Sequence, residues 1–209
     1  MKEAIQRLLN AEAEAIRNIP VGDSFSKALE LIYTSVHINH GKLIASGMGK
    51  AGQIAINIAT TFSSTGTPAV FLHPSDAQHG DLGVIQKNDI LLLISNSGKT
   101  REIIELVKLA RNLIQNIPVI LITGNPKNEL SHLADTTIYT GNPDEVCPLG
   151  LTPTTSTTSM TVIGDILVVL MIQKIGFSAE EYAKRHHGGY LGYKSRVFRI
   201  NSPFNNSGK

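Results

Sequence analysis

The 209-residue sequence has no tryptophan and a single cysteine, Cys147. One cysteine cannot form an internal disulfide, and neither CxxC nor HxH spacing occurs, so nothing predicts a disulfide framework or a structural zinc site. The histidines at 73, 79, 186 and 187 could bind a metal ion only adventitiously, and His79 and His186 are the candidates for such binding. We therefore expect neither a functional metal nor a cofactor.

Charge is also sparse. Only 17% of the residues are charged and the net charge is +2, with lysine and arginine scattered along the chain. Such a sequence lacks the basic patch of a nucleic-acid or membrane-surface protein. The N-terminus has no basic segment followed by an apolar one, and the most apolar stretch, 160–175, is short and interrupted by Asp165. We expect a cytoplasmic protein without nucleic-acid or membrane partners.

Hydrophobic residues make up 42% of the chain, which is enough for the core of one soluble domain. Helical periodicity predicts two N-terminal helices over 2–18 and 23–40, the second capped by Asp23 or Ser24. We expect a single domain over 1–209, with its core in 42–192 and a polar, frayed tail in 201–209.

Five short apolar segments alternate with helical or loop segments of the length that parallel crossovers need. The predicted strands are 42–47, 67–73, 89–95, 117–124 and 136–141. The class is therefore α/β, with a doubly wound five-stranded parallel sheet flanked by helices. Beyond it we expect a core helix over 160–175 and a short helix that starts at Ser178 and stops at Gly188 and Gly189.

Ligands of such sheets bind beyond the carboxyl ends of the strands. The first strand ends at Ser46 and Gly47, just before Lys50. The turn lacks the Walker A spacing, and although its glycines fit GxGxxG formally, no acidic residue ends the second strand, so a dinucleotide is disfavoured. Lys50 is a candidate partner for a substrate oxygen.

The third strand runs into a helix through Ser95, Asn96, Ser97, Gly98, Lys99 and Thr100. Hydroxyl, amide and glycine residues before a helix are ordinary caps, but the unpaired N–H groups there also suit a phosphate. A second run of hydroxyl-bearing residues precedes the core helix. One of these residues must cap the helix, and the others can contact a substrate. The predicted binding residues are Ser46, Gly47, His79, Ser95, Asn96, Ser97, Thr100, Thr154, Thr155 and Ser156.

A family resemblance rests on five strings in this order: GMGKAG, STGTPAVFLHPSDAQHGDLG, ISNSGKTREI, EVCPLGLTPTTSTTS and HHGGYLG. Over Lys42 to Gly192 the sequence resembles the sugar isomerase (SIS) domain of the arabinose 5-phosphate isomerases. The resemblance implies a flavodoxin-like topology, a homotetramer, and interconversion of D-ribulose 5-phosphate and D-arabinose 5-phosphate for the synthesis of Kdo in lipopolysaccharide or capsule. It also implies the short form, without CBS domains.

The same resemblance implies four catalytic residues: Lys50, Glu102, Glu145 and His186. The sequence departs from the family where SNSGES reads SNSGKT and where HPGGALG reads HHGGYLG, which places Lys99 and His187 at unusual positions.

An aldose–ketose isomerase needs one group to carry a proton between two neighbouring carbons. We expect Glu145 to do this with a pKa raised by burial, and Glu102 is the alternative. Lys50 would stabilise the enediolate and His186 would assist ring opening. Another phosphosugar isomerase and a non-catalytic phosphosugar sensor stay open as functions, as does feedback by CMP-Kdo.

Overall fold

The computed structural model describes residues 1–190 and 192–194. The expected tail, 201–209, lies outside these residues, as does residue 191 of the expected core. Helices α1 (Lys2–Arg17) and α2 (Asp23–Ile32) come first, and a π-helix (Tyr33–Ile38) continues α2. Helix α2 begins at Asp23 after Gly22, so the prediction that Asp23 or Ser24 precedes it as a cap was wrong: no side chain caps this helix.

The sheet consists of β1 (Leu43–Gly47), β2 (Ala69–Phe71), β3 (Ile90–Ile94), β4 (Val119–Thr123) and β5 (Thr136–Tyr139). All neighbours are parallel, in the order β2-β1-β3-β4-β5. This is the flavodoxin-like order, and it confirms the predicted class. The predicted strands ran one to four residues too long, and several of the extra residues still hydrogen-bond to a neighbouring strand through their backbone, as the Leu72 N–H does to the Ala45 carbonyl at 2.9 Å.

The crossover segments supply α3 (Lys50–Ser64), α4 (Pro74–Ala77), a 3-10 turn (Asp81–Val84), α5 (Arg101–Leu113) and α6 (Glu129–Leu133). Helices α7 (Thr155–Lys174) and α8 (Ala179–Arg185) follow β5. Helix α7 begins five residues earlier than predicted. Helix α8 begins at Ala179, one residue after the predicted start, and the Ser178 hydroxyl caps it by accepting the Glu181 N–H at 3.1 Å; α8 ends at Arg185, before the two glycines.

Every residue of β1, β3 and β4 is buried, since helices cover both faces of the sheet. Side chains of α2, α3 and α7 pack on one face and those of α5 and α6 on the other. Among the described residues, α7 is the one helix long and apolar enough to cross a membrane by length and composition. Half of its most apolar window is buried within the protein, as in a core helix.

Glycine is required where β1 meets α3. A Cβ at Gly47 would lie 2.7 Å from the backbone of Ala51, so only glycine lets the first turn of α3 approach the strand this closely. The approach sets the N-terminus of α3 at the carboxyl edge of the sheet.

Candidate active site

A cavity of about 470 Å³ opens at the carboxyl edge of the sheet. The first turns of α3, α5 and α7 surround it, together with the ends of β3 and β4. Its lining residues come from these segments: Met48, Lys50, Ala51, Ile94, Ser95, Asn96, Ser97, Thr100, Asn125, Asn142, Pro153, Ser156, Thr157 and Met160. Several N–H groups of helix termini therefore converge on one space, which suits an anionic ligand.

The loop from Ser95 to Thr100 forms one wall of this cavity. Ser95 Oγ and Thr100 Oγ1 lie 3.0 Å apart, and the Gly98 N–H donates to the Ser95 carbonyl at 3.2 Å. Helix α5 begins after Thr100 with no side-chain cap, as α3 begins after Gly49. No side chain therefore occupies the first-turn N–H groups of either helix, although the Gly52 N–H of α3 already donates to the Met48 carbonyl at 3.3 Å.

Gly98 fixes the shape of this loop. Its φ is +65°, in the left-handed region, and an added Cβ would collide with the carboxamide of Asn128. We expect Gly98→Ala to lower the free energy of unfolding by at least about 2 kcal/mol. Urea unfolding measures this, with Gly83→Ala as the control because a Cβ there meets nothing within 4 Å. An unchanged midpoint for Gly98→Ala would contradict the strain argument.

Helix α7 differs from α3 and α5 because a carboxylate already occupies its N-terminus. Glu145 Oε2 accepts hydrogen bonds from Thr154 N (2.7 Å), Thr154 Oγ1 (2.9 Å) and Ser156 N (3.3 Å). The expected hydroxyl cap is therefore wrong: Thr154 precedes α7, but its side chain donates to Glu145 and makes no capping bond. An anion such as phosphate is therefore better accommodated at the N-termini of α5 and α3.

The pKa of Glu145 is lowered, opposite to our expectation. Partial burial does raise it, but hydrogen bonds from Ser156 and Thr154 outweigh that effect because they favour the charged carboxylate. Glu145 is therefore ionised at neutral pH. The stability that this group contributes is complete above its unfolded-state pKa and is lost as the pH falls through the lower folded-state value.

Removing one donor should move this titration. In Thr154→Val the hydroxyl bond to Glu145 is lost, so the pKa of Glu145 rises toward its ordinary value, which NMR titration of the glutamate carboxyl groups measures. Thr60→Val is the matched control, since the Thr60 hydroxyl contacts only backbone carbonyls of its own helix. An unchanged pKa of Glu145 in Thr154→Val would show that this hydrogen bond does not lower it.

Six of the predicted site residues line the cavity: Lys50, Ser95, Asn96, Ser97, Thr100 and Ser156. Four others do not. Ser46 is fully buried and donates to the Leu72 carbonyl at 2.7 Å, and Gly47 packs on the backbone of α3. The side chain of Thr154 is bound to Glu145, and that of Thr155 is buried behind the first turn of α7.

Two more predicted residues line a separate cavity of about 380 Å³. Its walls include His79 and Glu102 beside Ser75, Gln78, Arg101 and Glu105. His186 lies at the end of α8, where its ring stacks on Tyr182 at 3.7 Å between centroids and its Nδ1 is 3.0 Å from the Tyr182 carbonyl. One chain therefore does not bring the four predicted catalytic residues into a single cavity.

Sequence reasoning missed several lining residues, among them Asn125, Asn142 and Thr157. Asn125 follows β4, so the strand-end rule used for β1 and β3 could have found it. Asn142 has a positive φ of 50°, which no motif in the sequence signals. Met48 and Met160 supply apolar walls that composition alone does not distinguish from core.

Within residues 1–190 and 192–194, no three histidine, cysteine, aspartate or glutamate side chains are grouped so as to hold a metal ion. His79 and His186, the candidates for adventitious binding, lie on different segments, one in the turn after α4 and the other at the end of α8.

Comparison with known proteins gives a consistent family. The model of the SIS domain matches residues 38–170. The arabinose 5-phosphate isomerase KdsD of Yersinia pestis is 43% identical over 195 residues, which cover 92% of this chain and 58% of that protein. KdsD of Escherichia coli K12 is 39% identical, covering 96% and 60%. The chain thus spans less than two thirds of the length of these relatives.

Two solved structures are similar over nearly their whole length. A Bacteroides fragilis protein, inferred to be a phosphosugar isomerase involved in capsule formation, is 64% identical with a TM-score of 0.90, covering 91% of this chain and 99% of that one. An Escherichia coli CFT073 protein in complex with arabinose 5-phosphate is 30% identical with a TM-score of 0.81, covering 87% and 95%. The extent of these matches makes this chain a member of the SIS domain family.

Proposed function

We propose that this protein is an aldose–ketose isomerase that interconverts D-ribulose 5-phosphate and D-arabinose 5-phosphate through an enediolate. One observation carries the proposal: a single cavity brings together Lys50, the uncapped N-termini of α3 and α5, and the first turn of α7, to which the ionised Glu145 is hydrogen-bonded. The names of the similar proteins support the choice of sugar. The product would supply Kdo synthesis.

The phosphate would bind at the first turn of α5. There the hydroxyls of Ser95, Ser97 and Thr100 face the cavity beside free N–H groups. The N-terminus of α7 already holds a carboxylate, so a phosphate there would meet like charge. Binding at α5 directs the reacting carbons of the open-chain sugar across the cavity, toward α3 and α7.

Glu145 would carry the proton. From the aldose it removes the C2 proton and the C2–H electrons form the enediolate; the resulting carboxylic acid, whose proton exchanges with solvent, returns a proton to C1 while the C2 hydroxyl proton passes to O1. Oε2 is held by three hydrogen bonds, which leaves Oε1 for this transfer. Glu102 is the alternative base, but within one chain it lines the other cavity.

Lys50 would stabilise the negative charge that develops on the enediolate oxygens, because it is exposed at the start of α3 and lines the cavity. His186 would assist opening of the cyclic aldose. The ketose 5-phosphate cannot close a ring through its blocked C5 oxygen, so this role would matter in one direction only.

A homotetramer would complete the site. Glu102, His79 and His186 do not reach the Lys50 cavity within one chain, so a neighbouring subunit is the natural source of some of these groups. An apolar stripe on α1 is available for such contacts: Ile5, Leu8 and Leu9 are 50%, 47% and 59% exposed. Light scattering of the wild type and of Leu8→Glu, Leu9→Glu would measure this, and a monomeric active wild type would exclude it.

CMP-Kdo would act as a feedback ligand at the same site. A groove of about 310 Å³ shares Lys50, Pro153 and Thr157 with the main cavity and gives room for a ligand larger than a pentose phosphate. Steady-state inhibition by CMP-Kdo, competitive with the sugar phosphate, is expected.

We also place the enzyme in the cytoplasm, where its phosphorylated substrate is made.

The test is an isomerase assay of the purified protein with a panel of sugar phosphates. We expect turnover of the pentose 5-phosphates and at least about tenfold lower kcat/KM for hexulose 6-phosphate and sedoheptulose 7-phosphate. A preference for either longer sugar would identify a different phosphosugar isomerase. Binding without turnover of any of them would identify a sensor.

A further inference from the structure

Glu12 on α1 contacts the first turn of α7. Helix α1 packs against α7, and the Thr155 hydroxyl lies 3.3 Å from Glu12 Oε1. The same hydroxyl lies 3.1 Å from the backbone N of Val146, in the loop before α7. Thr155 is 1% exposed, so this contact is shielded from water. A carboxylate far away in sequence is thus connected to the residue after Glu145.

The chemistry of these groups fixes the direction of both hydrogen bonds. A backbone N–H only donates, so the Thr155 oxygen must accept from Val146 and its proton is left for Glu12 Oε1. The Thr155 hydroxyl therefore donates its single proton to Glu12 and accepts from Val146. Without the acceptor on Glu12, the buried hydroxyl proton would need another acceptor, and rotation of the Thr155 side chain toward one would move Oγ1 away from the Val146 N–H and break the bond that holds the loop.

Two consecutive loop residues are consequently held to the first turn of α7. Glu145 is held through its side chain, by Thr154 and Ser156, and Val146 through its backbone N–H, by Thr155. Only the second attachment depends on Glu12. Because the two attachments are adjacent, loss of the Val146 bond alters the backbone from which the Glu145 side chain extends.

The second oxygen of Glu12 indicates that this contact does not serve stability alone. Glu12 Oε2 is buried and has no hydrogen-bond partner among the described residues. A buried oxygen without a partner costs stability, and a neutral acceptor could orient the Thr155 hydroxyl equally well.

We propose that Glu12 is a positioning residue that orients the proton-carrying carboxylate of Glu145 through Thr155 and Val146. The inference rests on the proposed function, since it assigns Glu145 the proton transfer. Glu12 itself moves no proton, because the backbone N–H of Val146 interrupts any relay between the two carboxylates.

The first test compares Glu12→Leu, Glu12→Gln and the exposed control Glu14→Leu in the full-length protein. Misplacement of a reacting group by a fraction of an ångström to 1 Å costs about 10- to 100-fold in rate. We expect Glu12→Leu to lower kcat by that factor with KM within about threefold. Glu12→Gln keeps an acceptor for the Thr155 hydroxyl and should restore kcat, and Glu14→Leu should leave it unchanged.

Cys147 provides a second readout that needs no activity. Hydrogen bonds from Thr152 and from the backbone N–H of Leu149 lower the pKa of this thiol to about 7. It is the only cysteine of the chain and neighbours Val146, so the pH midpoint of its alkylation by iodoacetamide reports the order of the loop. We expect a higher midpoint in Glu12→Leu, and wild-type midpoints in Glu12→Gln and Glu14→Leu.

A lower kcat together with a higher alkylation midpoint in Glu12→Leu, both reversed in Glu12→Gln, supports the inference. An unchanged kcat overturns it, whether or not the midpoint moves, and so does a Glu12→Gln variant as slow as Glu12→Leu. A wild-type protein that turns over no sugar phosphate would instead refute the proposed function, while the alkylation midpoint would still show whether Glu12 holds the loop.

Discussion

Glu145→Gln is expected to lower kcat about 10³-fold, within the range that a general acid–base group contributes. Glutamine keeps the size of the side chain and an oxygen that can accept the Thr154 and Ser156 N–H groups, so the start of α7 should persist. Only the ability to take a proton from carbon is lost. KM should stay within about threefold, since phosphate binding at α5 is untouched.

The matched control is Glu102→Gln, which removes the same charge from the other candidate base. We expect a much smaller loss of kcat, because Glu102 lines the separate cavity beside His79. The reverse order, with Glu102→Gln nearly inactive and Glu145→Gln active, would assign the base to Glu102. Glu145 would then serve only to hold the start of α7.

Lys50→Met is expected to lower kcat about 10²- to 10³-fold, the effect of removing one preorganised group at a developing oxyanion. Methionine keeps most of the aliphatic length and leaves the N-terminus of α3 in place. The loss should appear in kcat more than in KM, because the charge on the enediolate exists only during the reaction. Steady-state kinetics in both directions measure it.

Lys99→Met is the control for charge alone. Lys99 is exposed in the loop from Ser95 to Thr100 and does not line the cavity. Loss of its charge should therefore change kcat by less than about threefold. Equal losses in both variants would mean that Lys50 acts through the general field of the site and has no specific contact with the substrate.

The sheet was predictable because its signals are local and repeated. Apolar runs such as Ile90–Ile94 end in residues that cannot continue a strand, and five such runs with crossovers between them leave few topologies. Strand ends were less accurate, since Val70 and Phe71 pair in β2 while Leu72, equally apolar, lies beyond its end. Pairing depends on neighbouring strands, which a single segment does not reveal.

The candidate site was predictable where its residues follow strands, and at Ser156, where hydroxyl residues precede the core helix. Ser95 and Lys50 follow β3 and β1, so the edge of the sheet brings them together. The pKa of Glu145 could not be foreseen, because its partners Thr154 and Ser156 act through the geometry of a helix terminus nine to eleven residues away. Apolar neighbours in sequence suggested burial, whereas the fold supplied hydrogen-bond donors.

Nothing in the sequence indicated that the predicted site residues line two separate cavities. Glu102 is two residues from Thr100, yet the two side chains line different cavities because the first turn of α5 separates them. Neighbourhood along a helix therefore does not guarantee a shared site.

The measurement that tests the central claim most directly is isomerisation of D-ribulose 5-phosphate in D₂O, followed by NMR. Proton transfer through an enediolate by an exchangeable carboxylate predicts D-arabinose 5-phosphate with deuterium at C2, and Glu145→Gln should form it about 10³-fold more slowly. Absence of both arabinose 5-phosphate and deuterium exchange in the wild type, despite binding of the ketose, would contradict the proposed isomerase.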